Sequence, residues 1–346
     1  MTRYLVNGFG AVHGGIVRVH NAICLELAER GDVSIASAPR DQVAAARLNI
    51  MSVQSGGRAR SLLRDAVLAG RRRERFDVRV DSAPALRPFT RARRHIVVVH
   101  DLNFLRPDIH EISWKQRTYR RLLHRWTLRR ADRIVVNSEQ TLAELTGFDP
   151  RSAAKAVVLR LPVDHVAGTT PEGRLDRSSK KGTAVLSFGH ARNKGIDRLL
   201  YAMCERSDLT LDVICPQATW GELWAELARH LGLEARVRVH SLVSDDDLIG
   251  CYLAADVFCM LSRYEGYGLP VAEALYLATP TVISDLAVLR ETSLGFAEVA
   301  DGPGADAVLQ AIERALSTAP QHWLNAAGAF RQWTWGLWVD RLLAVG

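Results

Sequence analysis

Short β-type runs alternate with helical patterns along nearly the whole chain, and this alternation restricts the fold more than any single motif does. In the first half the runs are residues 4–7, 33–38, 78–80, 96–99, 133–136 and 156–159. Between them, apolar spacing predicts helices over 17–30, where Val19, Ile23 and Leu27 share a face, over 112–130, and over 139–145 with Ser138 as cap. Strands separated by helices pair in parallel, so the pattern predicts a doubly wound α/β sheet. A second series follows, with strands over 184–188, 211–214, 237–239, 256–260 and 281–284 and helices over 196–204, 221–231, 245–253, 271–277 and 305–316.

Between the two series, residues 166–182 lose all periodicity and collect turn formers and charge, which marks a linker. The expected domains are therefore 1–165 and 183–328, and the aromatic tail 329–346, with Trp333, Trp335 and Trp338, is expected to dock as a helix. With 346 residues, 48% of them apolar, the chain is long enough for two ordinary cores. No apolar run approaches a membrane span, and the first residues lack the apolar stretch of a signal peptide, so a cytoplasmic protein is expected. The five cysteines show no Cys-x-x-Cys spacing and sit in apolar contexts, which predicts reduced core thiols without a disulfide or structural zinc.

The net charge of +7 is concentrated in residues 58–75 and 115–130. In the second stretch, Arg117, Arg120, Arg121, His124, Arg125 and Arg129 are interleaved with Leu122, Leu123, Trp126 and Leu128 as on an amphipathic helix, one face basic and the other packed. The basic face reads as solvated surface, as an attraction to anionic lipid headgroups, or as a contact for a polyanionic acceptor. Nucleic acid is disfavoured, because no nucleic-acid motif accompanies the charge.

Residues 262–273, Ser-Arg-Tyr-Glu-Gly-Tyr-Gly-Leu-Pro-Val-Ala-Glu, follow the strand at 256–260 and open a helix. Pro270 suits the first helical position, which puts Glu265 on the loop and Glu273 in the first helical turn. Gly266 and Gly268 leave backbone N–H groups uncovered at the positive end of a helix dipole, so the loop donates hydrogen bonds while the carboxylates accept them. A polyhydroxylated ligand needs both. Taken singly, each acid also reads as an ordinary dipole partner.

The succession of strand, Glu265, Gly266, Tyr267, Gly268, Leu269, Pro270, Glu273 and a further strand resembles the sugar-nucleotide signature of the family 4 retaining glycosyltransferases. In that family the aromatic is usually Phe, and a second Glu stands eight positions after the first. The resemblance implies the GT-B fold: two Rossmann-like parallel-sheet domains facing a cleft, with a C-terminal helix, here 329–346, crossing back to the N-terminal domain. It further implies that Glu273 binds the nucleotide ribose, while Glu265 and the N–H groups of 266–268 hold the donor sugar.

Other positions match the same family. Gly14 and Gly15, ahead of the first helix, match a glycine pair that approaches the donor diphosphate. The stretch 7–15 is not Gly-x-Gly-x-x-Gly, and no acidic residue follows the second strand at a convincing place, which disfavours a dinucleotide cofactor. Gly189-His190-Ala191-Arg192-Asn193-Lys194 leads into a helix where the family usually has Gly-Arg and then Lys, cations that neutralise the diphosphate. Lys194 matches, His190 stands in the arginine's place, and Arg192 is either its substitute or part of a charged turn in solvent. His100, after the strand at 96–99, matches a histidine near the donor's anomeric carbon, or is a packed polar residue.

The resemblance thus implies a retaining hexosyltransferase that uses a nucleoside-diphosphate sugar. Its expected acceptor is a glycan or lipid-linked glycan in bacterial surface polysaccharide or glycolipid synthesis, at or near the inner face of the membrane. His100, Arg192, Lys194 and Glu265 are the expected catalytic group, and Gly14, Gly15, Gly189, Gly266, Tyr267, Gly268, Leu269 and Glu273 the donor-binding group. No cofactor or metal is expected, since the acidic run at 245–247 reads as a helix N-terminus. The alternatives are a sugar-nucleotide epimerase or glycoside phosphorylase of the same fold, and a non-catalytic subunit that binds a nucleotide sugar or a membrane surface.

Overall fold

The computed structural model describes residues 1–9, 14–36, 38–39, 47–51, 75–85, 91–109, 112–167, 182–241 and 244–344. Most of the expected linker, 168–181, and of the first basic stretch, 58–74, lies outside the described residues. The chain divides into two compact units, Met1–Leu161 with Trp335–Gly346, and Pro162–Thr334.

In the first unit the described strands are β1 (Thr2–Asn7), β2 (Gly31–Ala36), β3 (Leu48–Ile50), β4 (Arg75–Asp81), β5 (Arg91–Val99), β6 (Arg133–Val136) and β7 (Ala156–Val158). They form one sheet in the order β3-β2-β1-β4-β5-β6-β7, and these pairings are parallel. Helix α1 (Gly15–Arg30) buries the expected Val19, Ile23 and Leu27. Helices α2 (Trp114–Arg130), α3 (Glu139–Phe148) and α4 (Pro150–Ala153) follow, and Ser138 caps α3 by accepting from the Thr141 amide. Val97, Val99, Ile134 and Val136 pack with Phe104, Leu128, Leu145 and Phe148, and burying each such side chain stabilises by about 1.5–3 kcal/mol.

Helix α2 corrects two expectations. It starts at Trp114 rather than 112, because Ser113 and Gln116 form a reciprocal capping box. Its buried stripe is Leu123, Thr127 and Leu128, so Leu122, expected to pack, is 64% exposed beside the exposed Trp114 and Tyr119. Trp126 is half-buried beneath the Arg130 guanidinium, 4.2 Å from the ring centroid.

The second unit repeats the pattern with β8 (Thr183–Phe188), β9 (Leu209–Ile214), β10 (Val237–His240), β11 (Val257–Met260), β12 (Thr281–Ser284) and β13 (Glu298–Ala300), in the parallel order β10-β9-β8-β11-β12-β13. Its helices are α5 (Ile196–Glu205), α6 (Ala218–His230), α7 (Asp245–Ala254), α8 (Leu269–Tyr276), α9 (Ala287–Thr292), α10 (Ala305–Ser317) and α11 (Pro320–Arg331). The acidic run 245–247 does open a helix, α7, under a Ser244 cap. Elements β3, β13, α4 and α9 were not read from the sequence, and the expected helix 329–346 is instead divided between the end of α11 and a separate helix at Trp335–Ala344.

Helix α12 (Trp335–Ala344) completes the first unit. Trp338 is fully buried there, Asp340 accepts from Arg30 at 2.8 Å, and the Gly336 carbonyl accepts from the same guanidinium at 3.0 Å. Among the described residues no helix is long and apolar enough to cross a membrane, and all five cysteines are free thiols.

Candidate functional site

Each sheet reverses its strand order once, between β1 and β4 and between β8 and β11. In open parallel sheets ligands lie beyond the carboxyl ends of the strands at such reversals. The residues to inspect are those after these four strands.

In the second unit, the segment after β8 forms a single tight turn at Arg192–Lys194, closed by Gly195 at φ +73°. A Cβ there would stand 2.1 Å from the Leu261 carbonyl oxygen, so the close approach of turn and loop requires glycine. Asn193 Nδ2 donates to the Tyr264 carbonyl at 2.9 Å, and the Arg263 amide donates back to the Asn193 carbonyl at 2.7 Å. This lacing brings Lys194 to Glu265, with Nζ 2.6 Å from Oε1 and each side chain only 10% exposed. Ser262 Oγ donates to the same carboxylate oxygen at 2.6 Å.

Gly268 ends the loop at φ +99° and caps α8, whose first residue is Leu269 and second is Pro270. Glu273 is therefore the fifth helical residue, not a member of the first turn, and the helix dipole does not account for its position. Two side chains do. Tyr252 Oη donates to Oε2 at 2.8 Å, and His165 Nε2 donates to Oε1 at 3.0 Å, around a carboxylate that is 2% exposed. Spacing within 262–273 gave no hint of either partner. Tyr267, expected to face the donor, is 5% exposed, and its carbonyl accepts from Thr292 Oγ1 at 2.6 Å.

The remaining second-unit candidates divide. The Gly189 carbonyl accepts from Trp224 Nε1 at 2.6 Å, and Val213 and Trp224 crowd its Cα. Its lack of a side chain is therefore explained by packing. Burial, reinforced by the Lys194 ammonium, pulls His190 down to about 3, so the imidazole in the arginine's place is neutral at physiological pH. Arg192 is exposed and lines a groove of about 840 Å³ with Asp197, Trp224 and Arg229. Gly266 and Leu269 are half-buried at the loop surface.

In the first unit, Gly14 caps α1 at φ +60° and Gly15 is its first residue, both exposed; residues 10–13 lie outside the described residues. The start of that loop is pinned from below. Asn7 Oδ1 accepts from the Phe9 amide, and its Nδ2 donates to Asp81 Oδ1 at 3.2 Å. Asp81, fully buried, also accepts twice from Arg79 at 2.8 Å and once from His95 at 2.9 Å. Burial alone would raise its pKa, but Arg79 and His95 outweigh that and draw it down to about 2. The next residue, Ser82, takes His20 Nδ1 on its hydroxyl and His100 Nε2 on its carbonyl, each at 2.8 Å. Because a carbonyl only accepts, His100 carries its proton on Nε2, which leaves Nδ1 as the acceptor of a neutral imidazole. Burial lowers the His100 pKa against the pull of Ser82 and Asp101, which favours that neutral form.

The chain matches the family description "Glycosyl transferase 4-like domain" over residues 14–162 and "Glycosyl transferases group 1" over residues 176–325. It is 32% identical over 196 residues to a D-inositol 3-phosphate glycosyltransferase of Kineococcus radiotolerans, covering 51% of this chain and 43% of that protein. The chain thus spans less than half the length of the curated relatives first matched. In fold it is similar to sucrose-phosphate synthase from Thermosynechococcus elongatus, with a TM-score of 0.79, 16% identity and coverage of 100% and 98% of the two chains. It is likewise similar to HepE of Anabaena in complex with UDP and glucose, with a TM-score of 0.72, 14% identity and coverage of 99% and 100%. Taken with the two parallel sheets in reversed order and the Glu265 and Glu273 loop, these matches show that the chain belongs to the family 4 glycosyltransferases.

Proposed function

We propose that the protein transfers a hexose from a nucleoside-diphosphate sugar to an acceptor hydroxyl, with retention at the anomeric carbon. The observation that carries this reading is the pair of buried acids eight residues apart, one tied to an ammonium and the other held by a tyrosine hydroxyl and an imidazole N–H. A glycosidase would need both carboxylates at the scissile bond as acid and base or nucleophile. Here Glu265 adjoins a lysine ammonium and Glu273 a tyrosine hydroxyl and an imidazole, so the two acids have different surroundings.

The difficult step is departure of a diphosphate from an oxocarbenium-like carbon, which calls for charge stabilisation and positioning. Lys194 supplies the positive charge to the leaving oxygens, and the α1 N-terminus at Gly14 and Gly15 receives the diphosphate. Glu273 accepts from the ribose hydroxyls, while Glu265 and the Gly266–Gly268 backbone hold the sugar. His100 accepts through Nδ1 from a sugar hydroxyl. The bond from the anomeric carbon to the diphosphate oxygen breaks, the bond to the acceptor oxygen forms, and the acceptor proton passes to the leaving diphosphate. Side-chain cations supply the charge in this scheme, so activity is independent of a metal. The UDP and glucose held by the similar HepE structure support a nucleotide-sugar donor.

The acceptor is proposed to be a glycan or lipid-linked glycan of the bacterial surface, met at the inner face of the membrane. Support comes from the exposed face of α2, where Trp114, Tyr119 and Leu122 stand among Lys115, Arg121 and Arg125. Apolar anchors among cations suit an anionic interface.

Incubation with UDP-, GDP- and ADP-hexoses, with and without a simple acceptor, tests the reaction. Release of the nucleoside diphosphate supports transfer, formation of an epimer supports an epimerase, and tight binding without turnover supports a non-catalytic subunit. Glu273→Gln is expected to weaken donor binding and Lys194→Ala to lower kcat by roughly 10²–10³. Parent-like turnover in both variants would refute the site.

A further inference from the structure

The donor-site reading leaves His165 without a role, yet the structure builds it into the site. His165 sits in the short turn Asp164–Val166 at the start of the second unit, 108 residues before Glu273, and its side chain is 19% exposed. Its Nε2 lies 3.0 Å from Glu273 Oε1, and its Nδ1 is buried without a hydrogen-bond partner. A carboxylate oxygen only accepts, so Nε2 carries a proton.

On the opposite carboxylate oxygen, Tyr252 is fixed more firmly. It is fully buried, packs against Phe188 and Phe258 with ring centroids 6.2 and 5.5 Å away, and donates to Glu273 Oε2 at 2.8 Å. With Tyr252 alone, the carboxylate could still swing about its last torsion. A second donor on the other oxygen removes that freedom. Donors on both oxygens fix the plane of the carboxylate, and with it the direction in which its acceptor sites face.

Resting on the proposed donor site, we infer that His165 is a positioning residue that, opposite Tyr252, locks the Glu273 carboxylate in the plane that receives the nucleotide ribose. It acts through Glu273 rather than on the reacting atoms. Loss of its hydrogen bond therefore acts on donor affinity and leaves the chemical step alone.

Titration calorimetry with UDP, GDP and ADP, followed by steady-state kinetics with the matching nucleotide sugar, tests this on the full chain. His165→Phe, which keeps the ring and removes the donor, is expected to weaken nucleotide binding and raise KM about tenfold to a hundredfold with kcat within about twofold, the loss of one hydrogen bond to a charged group. His165→Gln, whose amide nitrogen reaches the Nε2 position, is expected to restore most of the affinity, while His165→Asn, one carbon shorter, is not. In the Glu273→Gln background, His165→Phe is expected to have little further effect, which a merely structural role would not produce. If none of the three nucleotides binds the parent, the donor-site reading fails and takes the clasp with it. If the parent binds and Glu273→Gln does not, yet His165→Phe binds like the parent or equally depresses kcat, the donor site stands and the clasp is overturned.

Discussion

Replacing Lys194 by Met separates the energetics of the buried pair from its role with a ligand. The substitution keeps most of the aliphatic stem and removes the ammonium that stands 2.6 Å from Glu265 Oε1. At that distance and an effective dielectric of about 20, the Coulomb attraction is about 6 kcal/mol before the desolvation of both ions is subtracted. With each side chain 10% exposed, desolvation cancels much of that gain, so the intact pair contributes little net stability. Breaking it is different. Removing one member of a buried pair costs about 3–5 kcal/mol, even though Ser262 still donates to the Glu265 oxygen. For a domain of 150–250 residues, each kcal/mol is worth about 2–4 °C in Tm, so the transition of the second unit is expected to fall by about 6–12 °C at the lower cost. Glu265→Gln strands the ammonium and is expected to lower it similarly. The double variant removes both charges and is expected to melt close to the parent, with a coupling of about 2 kcal/mol or more in a double-mutant cycle followed by calorimetry without ligand. Additive losses, with coupling below about 0.5 kcal/mol, would show that the two groups do not share a desolvated site and would refute the reasoning.

Three further outcomes are expected. Asp81 has its pKa held below the ordinary 3.8, at about 2, so its stabilisation is complete above about pH 4 and is lost as the pH falls through about 2. Asp81→Asn should therefore lower stability at pH 7 by about 2 kcal/mol or more, with the gap to the parent narrowing below pH 4 in urea titrations; a constant gap would contradict the ion-pair account. The parent should sediment with vesicles containing anionic lipid and detach at high salt, and Trp114→Ser with Leu122→Ser should abolish binding without changing the melting temperature. Turnover should survive an excess of chelator, and loss that is restored by added Mg²⁺ or Mn²⁺ would overturn the proposed metal independence.

The fold was readable because parallel strands and their helices carry local signals. Runs such as 96–99 and 134–136 are continuously apolar because both sheet faces are covered, and α1 shows its stripe at Val19, Ile23 and Leu27. Most of the elements that escaped are short. Strands β3 and β13 have three residues each, too few to display a period, and are held by pairing with β2 and β12. Helix α2 was assigned the right span within two residues but the wrong packed face, since helical spacing alone does not tell which arc of Leu122, Leu123 and Trp126 meets the core.

The sequence by itself determined where the candidate chemistry lies: loops after strands, two acids eight residues apart, a lysine at a helix start. These are short-range relations, and chain spacing carries them directly. Only the tertiary structure decided what each group touches. Glu273 meets Tyr252 from 21 residues away and His165 from 108, Lys194 meets Glu265 across 71, and Asn7 and His95 converge on Asp81 from the two neighbouring strands. Such contacts are set by sheet order and by the close approach that Gly195 allows, and burial then makes each pairing obligatory, because a polar group removed from water must find its partner wherever the fold has put one.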